Sequence, residues 1–479
     1  MSDLDRKLVR GSAWLALSFG GSQVVTFGVT ALLAHLLTPA DFGVVALAGV
    51  FIVALGTLQD SGLSFAIIQR RTDVERSAAT AHAFFLVSAV VMYVAAFFAA
   101  PLVADLFSQP RLTAVLRVLT LVLLARGVSG AASTLIEREL NFGARARGEL
   151  AGTVLQAAVS VTLALLGLGV WSLVAGQVAG AVVQAAIFVW VAPFRPSLRL
   201  ASWKLLRELS RFGRHVTAGN VITLIDANFD TAIVARLLGA ASVGYYNVAY
   251  RLCNLPATGI GYIIGRVMFP AYATLQDDRP AFREAFLSNV RRIALVSLPV
   301  GVGMFIAAHA LVVGVFGAKW EPSVTPLRIL AFYGTTRAFA GTTGPVFQAA
   351  GKPQLVSMIS GLYTVFFIGS LFALVPPFGI IGAATALTLT AAIPLLLSFW
   401  VVLRILALPL RELLSNLKRP AFCTVPLAGV LLVLDLSTRN MQSTLQLLLL
   451  IAAGLIVYGA SLATVGRGEL RTIAAAFRS

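Results

Sequence analysis

The chain has 479 residues, of which 58% are apolar and 12% charged, with a mean hydropathy of +0.89. Soluble domains average roughly 45–50% apolar and about 25% charged residues, so an ordinary soluble protein is excluded. Its 37 basic residues outweigh 20 acidic ones by +17, but the basic residues alternate with long apolar runs, so no nucleic-acid partner is expected.

Arg6, Lys7 and Arg10 precede an apolar stretch reaching Leu37. It is too long for a signal-peptide core and is read as a retained first span. Stretches long enough to cross about 30 Å of hydrocarbon then follow. In order they are 12–37, 42–66, 78–100, 113–135, 150–167, 170–192, 215–238, 243–267, 293–316, 323–348, 354–375, 379–403, 420–436 and 443–463. The fold expected is an all-α integral membrane protein of about 14 transmembrane helices. With the N-terminus in the cytoplasm, 27 basic residues fall in inward loops and tails and three, Arg111, Lys319 and Arg439, in outward ones. That asymmetry predicts a multi-pass protein of a bacterial cytoplasmic membrane with both termini inside.

The chain also repeats itself. Ala34-His35-Leu36-Leu37 and Gly43 recur as Ala235-Arg236-Leu237-Leu238 and Gly244, offset by 201. Leu116-Arg117-Val118-Leu119, Arg126 and Gly130 recur as Leu327-Arg328-Ile329-Leu330, Arg337 and Gly341, offset by 211, and Gly167 is matched to Gly379. Spans 1–6 (residues 1–200) and 7–12 (201–404) are therefore read as two six-helix lobes around a central cavity. As six is even, the lobes share one orientation, a parallel repeat of the kind found in two-lobed transporters. Residues 405–479, with spans 13 and 14 and a cytoplasmic tail, stand outside the repeat.

Ionisable residues within spans are costly and mark the protein interior or a wet cavity. Seven arginines (117, 126, 236, 251, 266, 328, 337) oppose Asp60, Asp226 and Asp230, a balance that favours an anionic substrate. Arg126 and Arg337 are repeat-equivalent, lie near the midplane, and with Arg251 are the candidate cavity cations. Arg117 and Arg328 sit nearer the outer interface, and Arg266 near the cytoplasmic end of its span, where snorkelling is the simpler reading. Asp226 and Asp230 share a helix face, and Asp230 is positioned to pair with Arg251 across the hairpin, either as a structural ion pair or as part of substrate or cation coupling. Asp60 has no partner legible in the sequence and is either a coupling group or a hydrated helix end.

Other features report packing. Cys253 and Cys423 lie in apolar stretches, and the scattered His35, His82, His215 and His309 form no metal motif. No metal or other cofactor is expected. Gly176/Gly180 and Gly261/Gly265 are close-approach spacings, and Pro256 and Pro394 are candidate helix breaks.

Several stretches carry a family resemblance: Asp41-Phe42-Gly43-Val44-Val45-Ala46, Asp60-Ser61-Gly62-Leu63-Ser64-Phe65-Ala66, Leu135-Ile136-Glu137-Arg138-Glu139-Leu140-Asn141-Phe142, Gly244-Tyr245-Tyr246-Asn247-Val248-Ala249-Tyr250-Arg251 and Phe316-Gly317-Ala318-Lys319-Trp320. Over most of residues 1–400 the chain resembles the Wzx-type polysaccharide-transport flippases of the multidrug/oligosaccharidyl-lipid/polysaccharide exporter superfamily, in particular the colanic-acid-exporter-like branch. The resemblance implies translocation of undecaprenyl-diphosphate-linked oligosaccharide for surface polysaccharide synthesis, alongside the polymerase and glycosyltransferases of the same pathway. It does not itself assign Arg126, Arg251 or Arg337 to the diphosphate.

Three alternatives are weighed against this. A polytopic glycosyltransferase or polymerase would place chemistry in a long outward loop, whereas the outward loops here are roughly ten residues or shorter. Gly351-Lys352 lacks the rest of a phosphate-binding loop, so the chain is read as a non-enzyme. A multidrug–cation antiporter would favour acidic sites, and a peptidoglycan-precursor flippase shares the same physics.

Overall fold

The computed structural model describes the backbone of residues 3–70, 72–192 and 198–465, and within it all side chains except those of 3–19, 212, 215, 218, 222, 255–267, 269–270 and 465. Arg266, His215, Pro256 and the Gly261/Gly265 spacing lie outside the described side chains. Among the described residues every regular element is helical, and nine helices are long and apolar enough to cross a membrane. The chain divides into two compact units, 1–244 and 245–479.

The first unit opens with α1 (Asp3–Leu36) and α2 (Pro39–Asp60). The break between them is written in Thr38-Pro39-Ala40-Asp41. The Thr38 hydroxyl accepts from the Asp41 N–H at 3.3 Å, and the Asp41 carboxylate accepts from the Thr38 N–H at 3.0 Å. Pro39 supplies a first-turn residue that needs no donor. Left-handed Ser61 and Gly62 then turn the chain into α3 (Leu63–Gln69).

Five helices follow in this unit: α4 (Val74–Leu106), the bent pair α5 (Arg111–Leu119) and α6 (Leu121–Arg138), α7 (Phe142–Leu165) and α8 (Val170–Val191). α7 crosses α8 closely: a Cβ on Gly180 would come within 2.7 Å of the Gly152 carbonyl, and one on Gly152 within 3.0 Å of the Gly180 carbonyl. Pro101 sits inside α4, so the Phe97 carbonyl loses its i+4 donor. Arg117 replaces it: its Nε donates to the Phe97 carbonyl at 3.2 Å, and its guanidinium lies 4.3 Å from the centre of the Phe97 ring. This arginine, read from the sequence as snorkelling, is half-buried and turned to the protein instead.

α9 runs from Trp203 to Thr274, 72 residues and about 108 Å of helix if straight. It is divided at Gly239, whose φ of 81° places the turn between spans 7 and 8 at the repeat position of Thr38. The first half packs against the end of α2, where a Cβ on Gly62 would lie 2.5 Å from the Gly213 carbonyl.

The second unit continues with α10 (Arg279–Ile306), α11 (Ala308–Phe316), α12 (Val324–Ala340), α13 (Thr343–Ala349), α14 (Gln354–Ile405), α15 (Leu410–Ser437) and α16 (Ser443–Val465). α14 stays helical through Pro394 and breaks at Gly379. The Gly379 dihedrals (φ 60°, ψ −138°) match those of Gly169 (φ 53°, ψ −130°), so the structural register of this turn is 210 residues rather than the 212 that pairs it with Gly167. The Phe316–Trp320 motif is a packing device. Trp320 is fully buried, edge-on to Tyr245 and Phe316 with centroids 6.0 and 6.3 Å away, and the Ser323 hydroxyl donates to the Tyr245 carbonyl at 2.9 Å.

Candidate functional site

Arg126 leaves α6 towards α2 at Gly56, where a Cβ would stand 2.8 Å from its Nη1. Only glycine leaves that space without displacing the guanidinium. One turn along, Gln59, 4% exposed, donates to the Leu123 carbonyl at 2.9 Å and holds α2 to α6. Gly127 completes the approach, with Ala89 and the Phe85 carbonyl where its Cβ would be. Arg126 itself is exposed and has no hydrogen-bond or carboxylate partner among the described residues.

Arg337, its repeat equivalent, is held in the second unit by neutral groups. Its Nη1 donates to the Asn254 side-chain oxygen at 2.9 Å, the Tyr333 hydroxyl at 3.4 Å and the Tyr250 hydroxyl at 3.5 Å. Tyr250 and Tyr333 stack at 6.2 Å, and the Asn254 amide donates to the Tyr250 carbonyl at 2.9 Å. α12 comes this close because Gly334 lies against the Cys253 carbonyl, 2.5 Å from where its Cβ would be. All three bonds fall on one terminal nitrogen. The Nε and the second Nη form a free donor edge among the described residues, the geometry that grips a phosphate through two oxygens.

Arg251, also exposed, donates from Nε to the Asn247 side chain at 2.8 Å, one turn back on the same helix, and leaves its two terminal nitrogens available. Arg251 and Arg337 thus share the second unit, and Arg126 belongs to the first. None of the three has a carboxylate within ion-pair distance among the described residues.

The acids lie in the first unit. Asp60 accepts a hydrogen bond from Ser64 across the Ser61–Gly62 turn, and Ser64 in turn accepts from the Thr134 hydroxyl at 3.1 Å. The partner invisible in the sequence is therefore a hydroxyl relay onto α6. Asp230 is 2% exposed and accepts from the Thr231 N–H at 2.6 Å, while Asp226 is half-buried one turn earlier. Among the described residues no three His, Cys, Asp or Glu side chains converge as a metal site. The residues missed from the sequence are Tyr250, Asn254 and Tyr333. Their signal was the i,i+4 spacing of Tyr250 to Asn254 and of Tyr333 to Arg337.

This helical fold is that of multi-pass membrane transporters. It is similar to the lipid II flippase MurJ in an inward closed conformation, with a TM-score of 0.71 over 96% of this chain and all of that one at 12% identity. An inward-facing multidrug resistance transporter of the MATE family, of the MOP superfamily, gives 0.63 over 80% of this chain and 95% of that one at 18% identity. Within that class the chain belongs to the polysaccharide biosynthesis protein family, which matches residues 32–325. Similar relatives span nearly its whole length. The teichuronic acid biosynthesis protein TuaB of Bacillus subtilis is 24% identical, covering 96% of this chain and 95% of that protein. The lipopolysaccharide biosynthesis protein WzxC of Escherichia coli is 26% identical over 88% and 86%, and the succinoglycan biosynthesis transport protein ExoT of Rhizobium meliloti 25% over 98% and 95%.

Proposed function

We propose that this protein moves oligosaccharide units linked to a lipid diphosphate, of the undecaprenyl type, across the cytoplasmic membrane by alternating access, supplying surface polysaccharide synthesis. The observation that carries the reading is the set of intramembrane arginines, Arg126, Arg251 and Arg337, with no carboxylate partner among the described residues. A diphosphate head must cross a low-dielectric layer, and permanently charged forked donors offset the loss of its hydration. The names of ExoT and WzxC, a transport protein of succinoglycan synthesis and a lipopolysaccharide biosynthesis protein, support the substrate class.

In this reading the protein is a transporter and not an enzyme, with both termini cytoplasmic, two lobes at 1–200 and 201–404, and pathway glycosyltransferases and polymerase as partners. Asp60, Asp226 and Asp230 are assigned to coupling or to structural roles, and Arg251, expected from the sequence to pair with Asp230, is bonded to Asn247 instead. The test is a deletion strain. Lipid-diphosphate-linked oligosaccharide should accumulate on the cytoplasmic leaflet while surface polymer disappears, and Arg126→Gln, Arg251→Gln or Arg337→Gln should fail to complement at normal protein levels. A multidrug antiporter, the reading that the MATE likeness favours, would instead show no accumulation and heightened sensitivity to cationic drugs.

A further inference from the structure

The amphipathic start of α9 is not used by the transport reading. Ser202 donates its N–H to the Thr80 hydroxyl at 3.2 Å, Glu208 pairs with Arg70 at 3.0 Å, and Gly213 lies against the Ser61–Gly62 turn. The segment therefore runs along the C-terminal ends of α2 and α3 and the start of α4, where Arg70 and Arg76 lie. Its inner face is docked: Leu209 is buried with Leu63, Ile67 and Phe85.

The opposite face carries Lys204, Arg207 and Arg211, at i, i+3 and i+7 and so within about 60° of helix. All three are exposed and unpaired among the described residues. The acid between them, Glu208, is taken up by Arg70. Beside the cations stands Trp203, 71% exposed. An outward tryptophan next to a line of cations is the combination that settles at lipid head groups.

The same device recurs in the second unit. Leu206-Arg207-Glu208-Leu209 is repeated as Leu410-Arg411-Glu412-Leu413, 204 residues on. Leu413 is buried beside Phe347 and Leu408, as Leu209 is in its own unit, while Arg411 and Lys418 are exposed on one face with Leu410 and Leu414 outward beside them. Inward loops are basic in most membrane proteins. A docked leucine, an outward apolar residue and a one-faced line of cations occurring twice are more specific than that.

We propose that these two segments, 203–211 and 410–418, bind the phosphates of anionic phospholipids in the cytoplasmic leaflet. The site is independent of the transported substrate.

The experiment titrates the full-length protein in detergent with phosphatidylglycerol or phosphatidylcholine and reads bound lipid by native mass spectrometry. Phosphatidylglycerol should bind preferentially and be lost with rising ionic strength. In the variant combining Lys204→Gln, Arg207→Gln and Arg211→Gln its affinity should fall roughly fivefold per cation removed. The Lys204→Arg, Arg207→Lys variant should bind as the wild type does. Unchanged phosphatidylglycerol affinity in the triple variant overturns the proposal and leaves the strip to an acidic protein surface. Should the triple variant fold poorly, Lys204→Gln and Arg207→Gln are read singly, and wild-type affinity in both overturns it in the same way.

Discussion

Gly43 and Gly244 make reciprocal contacts. A Cβ on Gly43 would collide with the carbonyl of Ala240, and a Cβ on Gly244 with that of Pro39. The two glycines are 201 residues apart, and so are Pro39 and Ala240. Residues 39–43 and 240–244 are therefore related by a local two-fold, and each helix start rests on the other's first carbonyl. The resemblance to known flippases runs through both glycines, and their role is to let two backbones touch.

Gly43→Ala and Gly244→Ala should each destabilise the protein by roughly 1–3 kcal/mol, because the obstacle is backbone and cannot rotate away. Thermal unfolding in detergent reads this directly. Gly49→Ala, on the same α2 with open space around it, is the internal control and should be neutral or slightly stabilising. Equal behaviour of Gly43→Ala and Gly49→Ala would remove the close-approach argument.

Asn254→Ala removes the shortest of the three bonds that orient Arg337. A hydrogen bond to a charged group is worth about 1.5–3 kcal/mol, so export of surface polymer should fall by roughly one to two orders of magnitude if the orientation matters. Tyr333→Phe, which loses a longer bond and keeps the stack on Tyr250, should cost less. Arg337→Lys keeps the charge but not the fork and should behave like Arg337→Gln. Full export in Arg337→Lys would mean that charge alone suffices.

Trp320→Ala should lower stability by about 3–5 kcal/mol through the cavity it leaves between Tyr245 and Phe316. Trp320→Phe should retain most of the packing. Because the motif is structural, the loss should appear as reduced protein level, with export per folded molecule unchanged.

Much of this is legible in the string. Hydrophobic length locates the helical segments, and charge counting singles out Arg126, Arg251 and Arg337, because an arginine in an apolar run is conspicuous wherever the chain folds. The Gly239 turn is foreshadowed by the repeat but not its chemistry: a capping box at Thr38 is replaced by a left-handed glycine. Register is harder still. Gly167 and Gly169 lie two residues apart and read alike as letters, and only their dihedrals show which one Gly379 repeats. The groups around Arg337 are not legible, since Tyr250 and Asn254 reach it from 87 and 83 residues away.

Arg117 escapes a sequence reading for the same reason, and its contact supports a sharper test than a single substitution. The Phe97 carbonyl lacks a helical donor only because Pro101 follows four residues later. Arg117→Gln should therefore cost about 1–3 kcal/mol, the penalty for leaving a carbonyl unsatisfied in an apolar setting, together with the loss of the Phe97 ring contact. In a Pro101→Ala background the backbone N–H regained at that position can donate to the Phe97 carbonyl, and Arg117→Gln should cost much less. The double-mutant cycle, read by thermal unfolding, isolates this coupling from the effect of either change alone. A coupling near zero would mean that Arg117 contributes through the ring or through lipid head groups, while a coupling of about 1 kcal/mol or more establishes that the arginine substitutes for the N–H that proline lacks.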